Sequence, residues 1–200
     1  GHLCGCVIGD KTASIEVSDA DTKLAERTIN AGKKAAKDVP EKIKGASVKA
    51  ATEKDALSAR DAAWRKGPAF GAFDMFGRDA QRIYFEASYR RSKANFLSAE
   101  FQDCFGHALI EVLRVPTNEN ETLAVIAGLR AIADELETRG IVSSFAFAPH
   151  DNVETSTAFL ATGYRKTGLL AKALLDADGT RKDAILWTRK LMNPADENYE

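Results

Sequence analysis

Apolar positions change their spacing along this chain, and each change marks an element. From Ile126 to Leu136 they recur every three or four residues, at Ile126, Leu129, Ile132, Ala133 and Leu136. That is the spacing of one helical stripe facing a core. Asn118 stands where an N-cap is needed, Glu121 follows three residues on as a capping-box partner, and Gly140 stands where the helix must stop. The apolar runs on either side are too short for helices. His107 to Val115, ended by Pro116, and Ile141 to Ala148 predict buried strands. A strand, a crossover helix and a strand predict a parallel, right-handed unit.

The same reading extends both ways. Ser47 to Ala50 predicts a short strand, and Thr52 caps a helix with Glu53 and Asp55 in its first turn, running to Lys66 before Gly67-Pro68. Phe70, Phe73, Met75 and Phe76, with Gly71 and Gly77, predict a buried turn or short helix over residues 69–80. Arg82 to Tyr89 has the composition of a strand, Arg90 to Lys93 that of a polar turn, and Asn95 to Phe101 that of a second strand, with a helix as its competitor. Downstream, Asn152 to Thr162 predicts a helix ended by Gly163. Leu169 to Leu174 and Asp183 to Leu191 predict two strands joined through Asp176-Ala-Asp178-Gly179, where Asp-Gly is a strong hairpin signal.

The first 45 residues differ. Ser18 to Lys37 reads as a helix whose apolar content is thin, with Leu24, Ile29 and several alanines, and Asp38-Val39-Pro40 breaks it. Such a helix needs a partner surface or stays half solvated. The expected organisation is an N-terminal extension with a helical arm over 1–45, one domain over 46–192 and a polar tail over 193–200.

Composition narrows the function classes. With 200 residues and 44% hydrophobic content the chain can bury a core, and its net charge of −1 gives no reason to expect nucleic-acid binding. No apolar run approaches the roughly 18 residues of a membrane-spanning helix. Cys4, Cys6 and Cys104 are too few and too spread for a disulfide scaffold and suit a reducing, cytoplasmic setting. No metal site is expected, because nothing near Cys4-Gly5-Cys6 completes a ligand set. Gly1-His2-Leu3-Cys4 resembles an N-myristoylation start, with Gly5 where Ser or Thr is preferred.

The stretch from Phe145 to Leu191 carries a family resemblance. An Asn after the strand (Asn152), a helix holding Ala158 and Leu160 and ending in Gly163-Tyr164, a hairpin at Asp178-Gly179, and a last strand closing on Trp187-Thr-Arg-Lys-Leu191 resemble the C-terminal half of the GNAT superfamily, the acyl-CoA-dependent N-acyltransferases. The looser resemblance covers Ala46 to Met192. It implies an α/β (α+β) fold with a central mixed, mostly antiparallel sheet, one parallel strand pair and helices on both faces.

The resemblance also implies a chemistry. In that family the acyl-CoA pyrophosphate rests on backbone N–H groups of a glycine-bearing turn at the start of the central helix. The matching segment here is Val115-Pro116-Thr117-Asn118-Glu119-Asn120-Glu121-Thr122, without glycine and with two carboxylates. Val115, Asn118, Glu119 and Asn120 are thus the implied cofactor-binding positions, with Asn152 and Phe159 as further ones. Many members place a Tyr four residues before the terminal Gly to protonate the departing thiolate; Phe159 holds that place and has no proton to give. Glu111, among leucines on the central strand, matches the carboxylate that serves as general base in some members; it can equally pair with an Arg or face solvent. His150 is a second candidate for base or substrate binding, set against the plain reading of a surface residue. Tyr89-Arg90-Arg91 with Lys93 is a candidate anion site that reads more simply as a solvated turn.

Two functions follow as expectations. One is transfer of an acyl group, acetyl in the first place, from acetyl-CoA or another acyl-CoA to an amine, with Glu111 and His150 as catalytic candidates. The other is a GNAT-fold module without acyl transfer, bound to a protein partner through residues 1–45, for which virion-associated phage proteins are a precedent.

Overall fold

The computed structural model describes residues 16–64, 80–102, 106–176 and 178–192. The expectations for Gly1, the three cysteines, the turn over 69–79 and the 193–200 tail lie outside these residues. Eleven elements follow in order: α1 (Asp19–Ala36), β1 (Ala46–Ala50), α2 (Glu53–Trp64), β2 (Gln81–Tyr89), β3 (Asn95–Phe101), β4 (His107–Val112), α3 (Glu119–Thr138), β5 (Ser143–Pro149), α4 (Val153–Ala161), β6 (Arg165–Leu175) and β7 (Arg181–Lys190). Among them no helix is long and apolar enough to cross a membrane.

The strands form one sheet in the order β1-β2-β3-β4-β5-β7-β6. All neighbours are antiparallel except β4 and β5, which run parallel across the α3 crossover. Strand alternation sorts the side chains. Ala87, Leu97, Ala99, Ile110, Ala146, Ile185 and Trp187 join α3 and α4 in the main core. The α3 helix lies so close to this face that a Cβ on Gly128 would come within 2.6 Å of Leu97 Cδ1. The opposite face carries Tyr84, Ser98 and Glu111 in one row, and α2 reaches it through Glu53, which accepts from the Tyr84 hydroxyl at 3.2 Å. The fold is thus the expected mixed sheet with helices on both faces.

The segment over Asn95–Phe101 is a strand, so its helical competitor falls: β3 pairs on both sides, with β2 and β4. The β4 strand stops at Val112, three residues before the apolar run does. Leu113 still donates its N–H to Phe96 at 2.9 Å, but Arg114 turns toward α3 to meet Glu121.

Both core helices end alike. After α3, Gly140 (φ 75°) lets Ile141 N–H reach the Leu136 carbonyl at 3.0 Å. After α4, Gly163 (φ 84°) lets Tyr164 N–H reach the Phe159 carbonyl at 3.0 Å. These are Schellman closures, which need a left-handed residue at the first position past the cap. They explain the Gly-aromatic ending of the second helix, since Tyr164 packs edge-on against Phe159 with centroids 5.0 Å apart.

The thin apolar face of α1 finds its partner within the chain. Ser18 caps the helix, accepting from Asp21 N–H at 3.1 Å. Ala25 and Ile29 enter the main core, and Gly32 meets α4 so closely that a Cβ there would lie 3.1 Å from both Ser156 Cβ and Thr157 N.

Candidate functional site

The parallel pair β4–β5 is only partly joined. Its register runs from His107↔Ser143 to Ile110↔Ala146, whereas β4 continues to Val112 and β5 to Pro149. The strands therefore part at the centre of the sheet, below the start of α3. Beyond the parting, Asn152 ties the two sides: its Nδ2 donates to the Pro116 carbonyl at 3.4 Å, while its Oδ1 caps α4 by accepting from Thr155 N–H at 2.7 Å.

Glu111 stands beside this parting, on the α2 side of the sheet. Ser98 Oγ donates to its carboxylate at 3.3 Å. Burial pushes the Glu111 carboxyl up to about 7; the Ser98 hydrogen bond opposes this, the like charge of Glu100 adds to it, and the charges of Arg82 and Arg60 pull it back. Glu100 is itself held by Arg82 at 3.1 Å. A carboxylate balanced near neutrality is chemically able to accept a proton at physiological pH. Ser98, Tyr84, Arg82 and Glu100 are members of this site that sequence reasoning missed. Their meeting depends on the register of three strands, which no local pattern reveals.

At the start of α3 the chain does something the spacing alone does not show. Asn118 caps the helix as expected, accepting from Glu121 N–H at 3.0 Å. The Glu121 carboxylate, however, does not close on the Asn118 N–H. It accepts from Thr117 N–H at 2.9 Å, from Thr117 Oγ1 at 3.1 Å and from Arg114 Nη1 at 2.9 Å. Burial raises its pKa, but the Thr117 amide and Arg114 outweigh burial and hold it below the usual carboxylate range. Asn118, Glu119 and Asn120 are exposed around it. Val115 turns to the other side of the sheet and joins the small apolar cluster around Leu174 and Ala184. The helix start as it stands therefore does not fit a diphosphate, because a side-chain carboxylate fills the place.

The remaining candidates lie in the interior. Phe159 is 1% exposed and stacks on Trp187, with ring centroids 5.8 Å apart. His150 is not a surface residue. It is 6% exposed, and its Nε2 lies 3.0 Å from Asp21 Oδ1, beneath the first turn of α1. Its backbone N–H donates to the carbonyl of Asp183, whose buried carboxylate accepts from Lys172 N–H at 2.8 Å. Donor atoms of Asp21, His150 and Asp183 all lie within 4.8 Å of one another. Lys172 takes a positive φ of 53° to make its contact, at a shift in the β6–β7 register. The cluster joins the helical arm to the end of β5 and stands apart from Glu111 in its bonding.

No protein-family model matches the chain, and no curated protein resembles it in sequence. Solved structures do resemble it. The ribosomal-protein-S18-alanine N-acetyltransferase of Escherichia coli matches with a TM-score of 0.54 at 18% identity, covering 78% of this chain and 99% of that one. The spermidine N-acetyltransferase of Vibrio cholerae in complex with CoA and spermine matches with a TM-score of 0.52 at 13% identity, covering 74% and 99%. Sheet order, the single parallel pair and these likenesses agree: the chain has the GNAT fold.

Proposed function

We propose that the chain is an N-acyltransferase that moves an acetyl or other acyl group from an acyl-CoA to an amine, in a cytoplasmic setting. One observation carries the reading: the Glu111 carboxyl, raised to about 7, stands on β4 where β4 and β5 part. The parting offers the donor's thioester arm a place between two strands. When bound, the donor supplies an activated carbonyl; the rest is done by the chain. Glu111 would accept a proton from the amine as its nitrogen bonds to the acyl carbon and the carbon–sulfur bond breaks to release the thiolate, and Ser98 holds the carboxylate in place from β3. Asn152 keeps the two sides of the parting in register through Pro116. Phe159 lends no proton to the leaving sulfur, so the proton work falls to Glu111.

The test is acyl transfer from acetyl-CoA to a panel of amines, followed by mass spectrometry, with calorimetric titration of acetyl-CoA alongside. Transfer by the native chain and its loss by about 10²-fold or more in Glu111→Gln support the reading. No binding at millimolar acetyl-CoA and no transfer to any amine overturn it.

A second reading is favoured by Glu121 and Phe159. A GNAT-fold module without acyl transfer, bound to a protein partner through residues 1–45 and virion-associated, has no use for an open anion cradle or a thiolate acid. Loss of an assembly on charge reversal of the exposed Lys23, Arg27 and Lys34 of α1 in a chain that stays folded, with acyl-CoA binding absent, supports that reading instead.

A further inference from the structure

The start of α3 already holds an anion, and the chain supplies it. Glu121 is 6% exposed and takes the Thr117 amide, the Thr117 hydroxyl and one nitrogen of Arg114. A backbone N–H before a helix and a guanidinium are the donors a phosphate oxygen would use. The second terminal nitrogen of Arg114, Nη2, is buried without a hydrogen-bond partner. The guanidinium therefore has capacity for one oxygen more than Glu121 gives it. A buried unmade hydrogen bond of this kind is costly, and an anion with more acceptor oxygens than one carboxylate edge would meet it.

We infer that Glu121 is a built-in competitor for the diphosphate of the donor, occupying its groups at Arg114 and Thr117 until displaced. The inference rests on the donor site proposed above and sets its affinity. Thr117 has a single amide N–H and Glu121 already takes it, so the native chain offers that donor to a diphosphate only when the Glu121 side chain swings out. Removing the carboxylate frees the donors and leaves the Glu111 side chain and its Ser98 partner in place. Replacing it by an amide keeps an oxygen for the Thr117 N–H and removes only the charge.

The experiment is calorimetric titration of the full chain with inorganic pyrophosphate, and separately with CoA, for the native protein, Glu121→Gln and Glu121→Ala. Circular dichroism melting shows that each variant is folded, and Glu121→Gln keeps the loop pinned if Glu121→Ala does not fold. At least a tenfold gain in pyrophosphate affinity in the folded variants is expected, abolished by adding Arg114→Gln. Equal affinity in the native chain and the folded variants overturns the inference. The readout is independent of chemistry. A gain in pyrophosphate binding without acyl transfer leaves the competitor role standing and fells the enzyme reading. Acyl transfer by the native chain with no gain in the variants does the reverse.

Discussion

Asp21 and His150 meet at 3.0 Å across 129 residues of sequence. One belongs to the first turn of α1 and the other follows β5, so their contact fastens the N-terminal helix to the centre of the sheet. The Ser18 hydroxyl and then His150 hold the Asp21 carboxyl below its ordinary value. A carboxylate depressed in the fold stabilises above its unfolded pKa and loses that stabilisation as pH falls through the folded one. The acid limb of α1 docking, read by hydrogen exchange of its amides below about pH 4, should be steeper in the native chain than in Asp21→Asn.

Glu111 has the opposite sign. Its carboxyl is raised from 4.5 to about 7, so the folded chain keeps a proton there that the unfolded chain has already lost. Stability should fall as pH rises through that window, by up to about 3 kcal/mol, and level off above it. Urea titrations from pH 4.5 to 8.5 should show this slope in the native chain and a flatter line in Glu111→Gln. If the chain transfers acyl groups, kcat/KM should rise with pH to a plateau with a midpoint near 7.

Restoring a phenol at position 159 should not restore an acid. Phe159 is packed between Trp187 and Tyr164. Phe159→Tyr would place a hydroxyl in the core, costing on the order of 1–3 kcal/mol where it finds no partner. Phe159→Ala should cost roughly 3–5 kcal/mol through the cavity it leaves. Chemical denaturation measures both, and an unchanged transfer rate in folded Phe159→Tyr would agree with the packing.

Gly32 lets α1 and α4 approach closely. Its added Cβ would press on Ser156 Cβ and on the backbone nitrogen of Thr157, which cannot rotate away. Gly32→Val should lift α1 from the body. Limited proteolysis should then cut within residues 19–36 while the sheet stays protected.

The strands and helices were legible because their apolar periods are clean, as in Ile126 to Leu136, and because Gly140 and Gly163 mark closures that few other residues can make. The end of β4 was not. Val115 extends the apolar run, but the ion pair of Arg114 with Glu121 turns the chain at a point that hydropathy cannot show. Glu111 was conspicuous as a carboxylate among leucines. Its partner Ser98 was not, since an ordinary serine gains meaning only through the β3–β4 register. Glu121 was legible as a cap, yet its bond to the residue before the cap depends on how Thr117 is turned. His150 looked like a loop residue because the helix that buries it lies far away in the chain.

The docking of α1 onto α4 has a consequence for how the molecule is made. The helix over Asp19–Ala36 comes off the ribosome long before its partner over Val153–Ala161, and residues 37–152 separate them. Throughout that interval Ala25 and Ile29 have no native surface to cover them. The sheet can pair strand by strand from β1 to β4 as it emerges, but the first helix must wait for nearly the last. Its docking therefore cannot precede α4, and Asp21 meets His150 only once the chain has been made past the end of β5.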